Sequence, residues 1–140
     1  MNKKLHPKIE DFLQKLSSTR RMARNMPEEL FGVEGEFYVD AGEDLGQDYN
    51  NPNVISANEP PKTQPGLWCQ WIPTEDGMGL EWDGGEKFYS YTEWIGYIIE
   101  KILEPNGYVV NGKVKWQGAE MNDRGIIIVK DNHVDINELE

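Results

Sequence analysis

All five tryptophans of this 140-residue chain fall between Trp68 and Trp116. The same region holds the clearest succession of apolar runs and turns, which reads GLWCQWIP, GLEWDGGEKF, YTEWIGYIIEKIL, KVKWQG and GIIIVKDN. Aromatic side chains bury large areas and dominate the energetics of cores and interfaces. The clustering therefore places the folded core, together with a candidate binding face, in the second half of the chain.

Composition narrows the class of protein. The length suits one domain with a real core, and an aromatic content of 11% excludes disorder throughout. The formal net charge of −11 opposes direct binding to nucleic acid, which takes most of its affinity from Lys and Arg. No apolar run approaches the roughly 20 residues that cross a bilayer, and no signal peptide is recognisable. We expect a cytoplasmic protein with no membrane contact.

The charge is divided unevenly along the chain. Residues 1–26 hold seven of the fourteen basic residues and two acidic ones, a net charge of +5, and the remainder carries −16. One interpretation is an N-terminal helix that docks on the acidic body of its own chain or of a neighbour, which includes a homodimer joined through this helix. The other is a basic arm that contacts an acidic partner.

The first half of the chain predicts one helix and a long loop. Pro7 suits the first turn of a helix, and apolar residues then recur at helical spacing, so the helix is expected to run to about Asn25. We assign 1–31 to a basic helical arm and 32–65 to an acidic loop segment rich in Gly, Asn and Pro, with one short strand at 36–39. A loop of this length is uncommon inside a compact domain and is usually functional or mobile.

Residues 66–134 predict the core domain, which begins with a hairpin and a helix. Strands at 66–72 and 79–82 flank the turn TEDGMG, whose residues are typical of tight turns. A helix then runs from about Ser90 to Leu103, opened by a capping-box pattern and closed by PNG.

Two or three further strands follow this helix. The dipeptide NG at 111–112 is a strong turn signal, and it predicts a hairpin between 108–110 and 113–116. The run at 125–130 adds a β-branched strand, and the polar tail, 135–140, is expected to fray. The fold class is therefore α+β: an antiparallel sheet of four or five strands (a ββαββ core) with one helix across a face, plus the N-terminal helix.

Several motifs of the core domain, W-x-x-W-x-P, E-W-D-G-G-E-K-F and W-Q-G…D-x-G…D-N, resemble those of a family of small uncharacterised bacterial and phage-associated proteins. The resemblance covers about half of the chain, and it implies no activity, because no established function is attached to that family. The residues that carry it are Trp68, Trp71, Pro73, Glu81, Trp82, Gly85, Glu86, Lys87, Phe88, Trp94, Gly107, Asn111, Gly112, Trp116, Gln117, Gly118, Asp123, Gly125, Asp131 and Asn132.

Three carboxylates surround the Gly-Gly turn beside Trp82, namely Glu81, Asp83 and Glu86. Carboxylates against an aromatic wall are typical of sugar sites, where they act as an acid–base pair. Glu81 and Glu86 are therefore the candidate catalytic residues of a sugar or nucleotide site. The alternative is that Asp83 caps the turn and Glu86 pairs with a cation in solvent.

Lys87 and the polar loop after Trp116 supply the other charged candidates. A buried Lys87 could act as a nucleophile or bind phosphate. No phosphate-binding loop accompanies it, and an ordinary ion pair is the alternative. Glu120, Asp123 and Arg124 could form a recognition cluster, or could simply connect two strands and keep the loop soluble.

The tryptophans complete the candidate binding face. At alternating strand positions, Trp68 and Trp82 are more often part of a core than of a ligand platform. Trp68 and Trp71 are three residues apart, so in a regular strand they point to opposite faces, and one of them is expected to be exposed or to lie under the N-terminal arm. Exposed tryptophans are common anchors for a protein partner. The residues expected to bind a ligand or partner are Trp71, Trp82, Glu86, Lys87, Trp116, Glu120, Asp123 and Arg124.

No metal site and no cofactor is expected. The two histidines, His6 and His133, lie near opposite ends of the chain, and no zinc-binding spacing of Cys and His is present. The acidic segment lacks the calcium-binding pattern of an EF-hand. Cys69 is the single cysteine, which excludes an intrachain disulfide, and we expect a buried, inert thiol.

The sequence favours a non-enzymatic binding or regulatory module of a bacterium or its phage, acting through protein–protein contacts. One refinement is that the acidic body mimics nucleic acid and occupies a nucleic-acid-binding protein. The alternative is a small enzyme or binding protein for a sugar or nucleotide. That alternative requires a deep pocket that holds at least two of the charged candidates.

Overall fold

The computed structural model describes residues 1–27, 32–39, 46–48, 50–82, 91–117 and 124–139, and only the backbone of 91, 115–117, 124 and 137–139. A mixed α+β fold is confirmed. Its elements are, in order, α1 Pro7–Ser18, β1 Ala23–Arg24, a 3-10 turn Val33–Gly35, β2 Val54–Ser56, β3 Trp71–Pro73, β4 Leu80–Trp82, α2 Tyr91–Ile98, a π-helical turn Ile99–Leu103, a 3-10 turn Glu104–Asn106, β5 Gly112–Gln117, β6 Arg124–Lys130 and β7 His133–Leu139.

The helix α1 begins where the sequence predicts. Pro7 occupies its first position, and the Nδ1 atom of His6 caps the helix by accepting a hydrogen bond from Lys8 N at 3.1 Å. The apolar stripe buries Leu13 and Leu16, which belong to the main hydrophobic core. The stripe is therefore covered by the chain's own second half.

The prediction of a helix to Asn25 is wrong, because α1 ends at Ser18. The hydroxyls of Ser17, Ser18 and Thr19 each donate a hydrogen bond to a carbonyl of the preceding turn. Side chains of this kind compete with the helical backbone and favour helix ends. The backbone is already extended at Thr19, so the residues after it are free to pair as a strand.

The segment assigned to a loop contains a strand and a turn. The strand β2 pairs antiparallel with β1, so the acidic segment is fastened to the residues that follow α1. The strand predicted at 36–39 is not formed, and a 3-10 turn precedes that segment. Gly35 permits this path, since its φ is +74° and a Cβ there would lie 2.9 Å from the Cβ of Arg24.

Three arginines of the basic N-terminal segment bind backbone carbonyls of their own chain. Each donates through its guanidinium group to a carbonyl in or near the irregular part of the chain between β1 and β3. These cations are therefore used inside the fold and are not available to a free basic arm. The hydrogen bonds run from Arg20 to Ala57 at 2.9 and 3.1 Å, from Arg21 to Glu36 at 3.0 Å, and from Arg24 to Gly46.

The predicted hairpin is confirmed, with shorter strands. The strands β3 and β4 pair antiparallel, with Trp71 opposite Trp82. In the turn between them, the Asp76 carboxylate accepts hydrogen bonds from Thr74 Oγ1 at 2.6 Å and from Met78 N at 2.9 Å. The bond from Thr74 is the main reason why the pKa of Asp76 is lowered.

The helix α2 and its π-helical continuation lie at the centre of the core. Trp94, Ile98 and Leu103 are fully buried, and apolar residues of α1, β3 and β6 belong to the same cluster. Regular α-helical bonding ends at Ile98, and the π-helical turn then extends the helix to the predicted end at Leu103. The chain leaves through Gly107, whose φ is +81°.

The prediction of a hairpin at Asn111-Gly112 is wrong. The two-residue turn lies at Asp131-Asn132, between β6 and β7, and its residues have φ values of 49° and 71°, as this type of turn requires. Asn111 instead accepts a hydrogen bond from Asp131 N at 3.0 Å. The long β-branched strand β6 pairs with β5 on one side and with β7 on the other. The tight turn therefore lies between β6 and β7.

The tail predicted to fray is the strand β7. Its residues, His133–Leu139, pair with β6 along their whole length. Val134 and Ile136 alternate with polar residues in this segment, a strand-like pattern that the prediction of a fraying tail did not use. The strand forms because β6 presents a second edge, and backbone hydrogen bonds to that edge do not depend on side chains.

The strands form three small antiparallel sheets in the described part of the chain, β1–β2, β3–β4 and β5–β6–β7. The single sheet of four or five strands that the sequence predicts is not formed there. N-terminal residues lie between the second and third sheets: Met1 N donates to Met78 O at 3.0 Å, and Asn2 N donates to Val109 O at 3.1 Å. Met78 lies in the β3–β4 turn, and Val109 precedes β5.

Replacing Arg21 with methionine is expected to lower the free energy of unfolding by about 3 kcal/mol, because Glu36 O and Gln64 Oε1 would lose a buried charged donor. Arg21→Lys should recover only part of this, since an ammonium group lacks the planar fork that reaches both acceptors. Urea unfolding of the three proteins tests the expectation. Equal stability of Arg21→Met and wild type would contradict it.

Asn132→Ala is expected to lower the free energy of unfolding by about 2–3 kcal/mol. The Asn132 side chain accepts from Val110 N at 2.7 Å and donates to Tyr108 O at 2.9 Å, and alanine disfavours the left-handed conformation. Asn132→Gly is the matched control, because it keeps the backbone conformation and loses only the side-chain bonds. If thermal unfolding shows Asn132→Gly to be as stable as wild type, these bonds contribute nothing.

Candidate functional site

An apolar cleft of about 190 Å³ separates the β3–β4 hairpin from the sheet β5–β6–β7. Its two sides are the segments 78–80 and 111–114, and Met1 also lines it. Apolar side chains from β3, α2 and β6 form its floor. The floor residues are Trp71, Ile95, Ile127 and Val129.

Two of the candidate tryptophans lie on the face of the hairpin that borders the cleft. Directly opposed residues of an antiparallel pair point to the same face, so Trp71 and Trp82 do so here. Trp71 is 2% exposed and forms part of the floor, whereas Trp68 is partly exposed, so Trp71 is not the exposed member of this pair. Trp82 is 44% exposed, and Met78, which lines the cleft, is 39% exposed.

The candidate acid Glu81 and the ring of Trp82 lie on opposite faces of β4, because successive residues of a strand alternate. Glu81 is exposed to solvent. The described lining of the cleft contains no carboxylate. Within the described residues, β4 and the cleft therefore do not present an acid–base pair against an aromatic wall.

The remaining charged candidates, Glu86, Lys87, Glu120 and Asp123, lie outside the described residues. Trp116 and Arg124 occupy neighbouring strands: Trp116 is opposite Gly125, and Arg124 is opposite Gln117. Of Trp116 and Arg124 only the backbone is described. A recognition cluster that includes these residues stays a prediction.

Neither histidine belongs to a metal site among the described residues. His6 caps α1, and His133 Nε2 lies 3.5 Å from Asp135 Oδ1 on the surface. No group of three or more His, Cys, Asp and Glu side chains in the described ranges could hold a metal ion. Cys69 is buried, as its position between two tryptophans predicts.

A buried polar cluster joins α2 to the segments that precede it. Its members, Arg21, Glu36, Gln64 and Tyr97, are all less than a tenth exposed. Arg21 Nε donates to Gln64 Oε1 at 3.2 Å, and Gln64 Nε2 donates to Tyr97 OH at 3.1 Å. The carbonyl of Glu36 accepts from both Arg21 and Gln64. The cluster is closed to solvent, so it holds segments together and is not open to a ligand.

Burial changes the acidity of two groups in this cluster. Desolvation lowers the pKa of Arg21 to about 10, so its guanidinium group is still charged at neutral pH. Desolvation also raises the pKa of the Tyr97 phenol, and the nearby Glu36 adds to this, whereas the hydrogen bond from Gln64 opposes it. Tyr97 is therefore a neutral phenol at physiological pH.

No local sequence signal marks the cleft or the polar cluster. The segments that form the cleft are distant along the chain and come together only in the folded protein. Arg21 lies in a segment whose basic composition predicts surface charges, and Gln64 lies in a segment whose polar composition predicts a loop. The apolar pattern of α2 and β6 was the only part of either site that the sequence displayed.

No family model, curated protein or solved structure matches this chain. The resemblance of its motifs to bacterial and phage-associated proteins therefore stays a prediction. None of the helices in the described ranges has the length and hydropathy of a segment that spans a bilayer.

Tyr97→Phe is expected to gain stability relative to wild type as the pH rises from about 9 to about 11. The pKa of folded Tyr97 lies above its ordinary value of 10.0, so its contribution to stability is present below pH 10 and is lost at higher pH. The lowered pKa of Arg21 makes the free energy of unfolding rise with pH above pH 10. Arg21 is present in both proteins, so this effect is common to them. Urea unfolding at the two pH values measures the change. A difference that does not depend on pH would contradict the expectation.

Proposed function

We propose that this chain is a non-enzymatic binding module that acts through protein–protein contacts made by the β3–β4 hairpin and the adjoining cleft. The observation that carries the proposal is the half-exposed indole of Trp82, on the hairpin face that borders an apolar cleft. Large aromatic side chains in such positions account for much of the binding energy at protein interfaces.

The charges of the hairpin support the same conclusion. Residues 71–82 carry the carboxylates Glu75, Asp76 and Glu81 and no Lys or Arg. An apolar centre with a charged rim is the usual composition of an interface. The net charge of −11 adds a long-range attraction for a positively charged partner.

Mimicry of nucleic acid is a refinement of this proposal, and it requires carboxylates in rows at phosphate-like spacing. A sugar or nucleotide site is the alternative function. Glu81 and Trp82 lie on opposite faces of β4, which weakens the part of this alternative that rests on Glu81. Its other candidate acid, Glu86, lies outside the described residues.

Association of two copies through the N-terminal helix is a separate proposal about the partner. The apolar stripe of α1 is buried in its own chain through Leu13 and Leu16. A dimer built on that stripe would therefore have to exchange the helix between copies. The contact face on the hairpin does not depend on such an exchange.

Trp82→Ala is expected to abolish capture of a partner protein from a lysate of the source cells, since truncating a central aromatic anchor weakens binding by about thirtyfold or more. The matched control is Ile55→Ala, because Ile55 is a 61% exposed apolar residue on a different sheet. A protein recovered by wild type and by Ile55→Ala, but not by Trp82→Ala, supports the proposal. Equal recovery by all three, or by none, contradicts it.

A further inference from the structure

The sequence contains two Asn-Gly dipeptides, Asn106-Gly107 and Asn111-Gly112, and both lie in the segment that leads from α2 into β5. Asparagine is thermolabile, because the backbone nitrogen of the next residue can attack its side-chain Cγ. Ammonia leaves, a five-membered succinimide ring forms, and water then opens the ring to aspartate or isoaspartate. Glycine as the next residue puts no side chain in the way of this attack and leaves the backbone free to turn.

Hydrogen bonds protect the first dipeptide from this reaction. Asn106 Nδ2 donates to Ile102 O at 2.5 Å, which ties the side-chain amide to the preceding turn. Gly107 N, the atom that would attack, donates to Glu104 O at 3.0 Å. The left-handed φ of Gly107, +81°, belongs to the same helix-ending turn. The succinimide ring therefore cannot close at Asn106 until this turn opens.

The second dipeptide has open space around both reacting groups. The Asn111 side chain is exposed to solvent, and a Cβ added at Gly112 would meet no atom within 4 Å. Gly112 is the first residue of β5 and lies opposite Val129. The hydrogen bonds at the end of a strand open at low cost in free energy, so the Gly112 nitrogen is released more readily than a nitrogen inside a helical turn.

One hydrogen bond at Asn111 favours the attack itself. Asn111 Oδ1 accepts from Asp131 N at 3.0 Å. When a nucleophile adds to an amide carbonyl, negative charge develops on the carbonyl oxygen, and a backbone N–H aimed at that oxygen stabilises the transition state. The donor is held in place, because Asn132, the next residue of the same tight turn, accepts through its side chain from Val110 N at 2.7 Å.

We propose that Asn111 is a site of spontaneous deamidation in the folded protein, and that Asn106 is protected by its turn. In the balanced reaction, Gly112 N loses its proton and bonds to Asn111 Cγ, and the side-chain amide takes up a proton and leaves as ammonia. Water then adds to one carbonyl of the succinimide. Cleavage of the ring C–N bond gives aspartate or isoaspartate, so the reaction consumes water and releases ammonia.

Deamidation changes the chemistry of the cleft. Asn111 and Gly112 both line it, and its described lining contains no carboxylate. The reaction adds a carboxylate at this edge and makes the net charge of the chain more negative than −11. Isoaspartate also adds a methylene group to the backbone at the start of β5. The inference goes beyond the proposed function and does not depend on it, because it needs only the atoms of this chain and water.

The test is a time course of the purified full chain in mildly alkaline buffer at body temperature, followed by peptide mapping with mass spectrometry. The folded chain is expected to lose Asn111 at least about tenfold faster than Asn106, a factor that corresponds to the two hydrogen bonds of the first dipeptide. In guanidinium chloride the two asparagines should react at similar rates, because the fold then protects neither. Fragmentation that distinguishes isoaspartate from aspartate identifies the succinimide route.

Gly112→Ala is the variant that tests the attacking nitrogen. The open space at Gly112 accepts a methyl group, and its φ lies outside the left-handed region, so the variant is expected to fold. The methyl group shields the nitrogen and should slow the loss of Asn111 severalfold. Gly96→Ala is the matched control, because Gly96 has equal space on α2 and does not follow an asparagine. It should react at the rate of wild type.

Any of four results overturns the inference: loss of Asn106 at an equal or higher rate in the folded chain, persistence of Asn111 in the folded chain while the denatured chain loses it, equal rates in Gly112→Ala and wild type, or aspartate without isoaspartate. Circular dichroism checks that the variants are folded. If Gly112→Ala does not fold, the comparison of folded and denatured wild type decides the question by itself.

Discussion

Guanidinium groups that bind backbone carbonyls are the interaction on which the rest of this structure depends. The long segment between β1 and β3 has little secondary structure of its own, so many of its carbonyls need other partners. Arg20, Arg21 and Arg24 supply donors to Ala57, Glu36 and Gly46. Burial lowers the pKa of Arg21 only to about 10, so the group retains its charge at neutral pH, and its planar fork donates to two oxygens. These bonds hold the acidic segment against the residues that follow α1, and they use cations that would otherwise form a surface arm.

The second constraint is the separation of the hairpin from the three-stranded sheet. The N-terminal residues bond to Met78 in the hairpin turn and to Val109 ahead of β5, and a cleft lies between the hairpin and the sheet. Trp71 and α2 provide the floor that both sheets share. The cleft thus follows from the separation of the two sheets, and the exposed Trp82 lies on the hairpin face that borders it.

Prediction from sequence succeeded where a local pattern is repeated or closed by specific turn chemistry. The start of α1, the turn after β3 and the apolar face of α2 are of this kind. It failed where the pairing of strands, and not a local pattern, decided which dipeptide forms a turn and which segment forms a strand. Asn111-Gly112 is a strong turn dipeptide, yet Asp131-Asn132 forms the turn because β6 pairs on both sides. The C-terminal segment, which was predicted to fray, became β7 because β6 offers it a second edge. Of the candidate site, the sequence named Trp71 and Trp82 as candidate binding residues. It favoured a core position for Trp82, which is 44% exposed, and it did not place Trp71 in the floor of a cleft.

The sequence by itself determined the fold class, the position of the core in the second half, the buried state of Cys69 and the excess of negative charge. These follow from composition and from apolar periodicity, which are local properties. The tertiary structure alone decided that Arg21 is buried, that the strands form separate sheets and that a cleft lies between two of them. Each of these depends on which segments, distant along the chain, compete for the same hydrogen-bonding edge or the same volume, and no local pattern records the outcome of that competition.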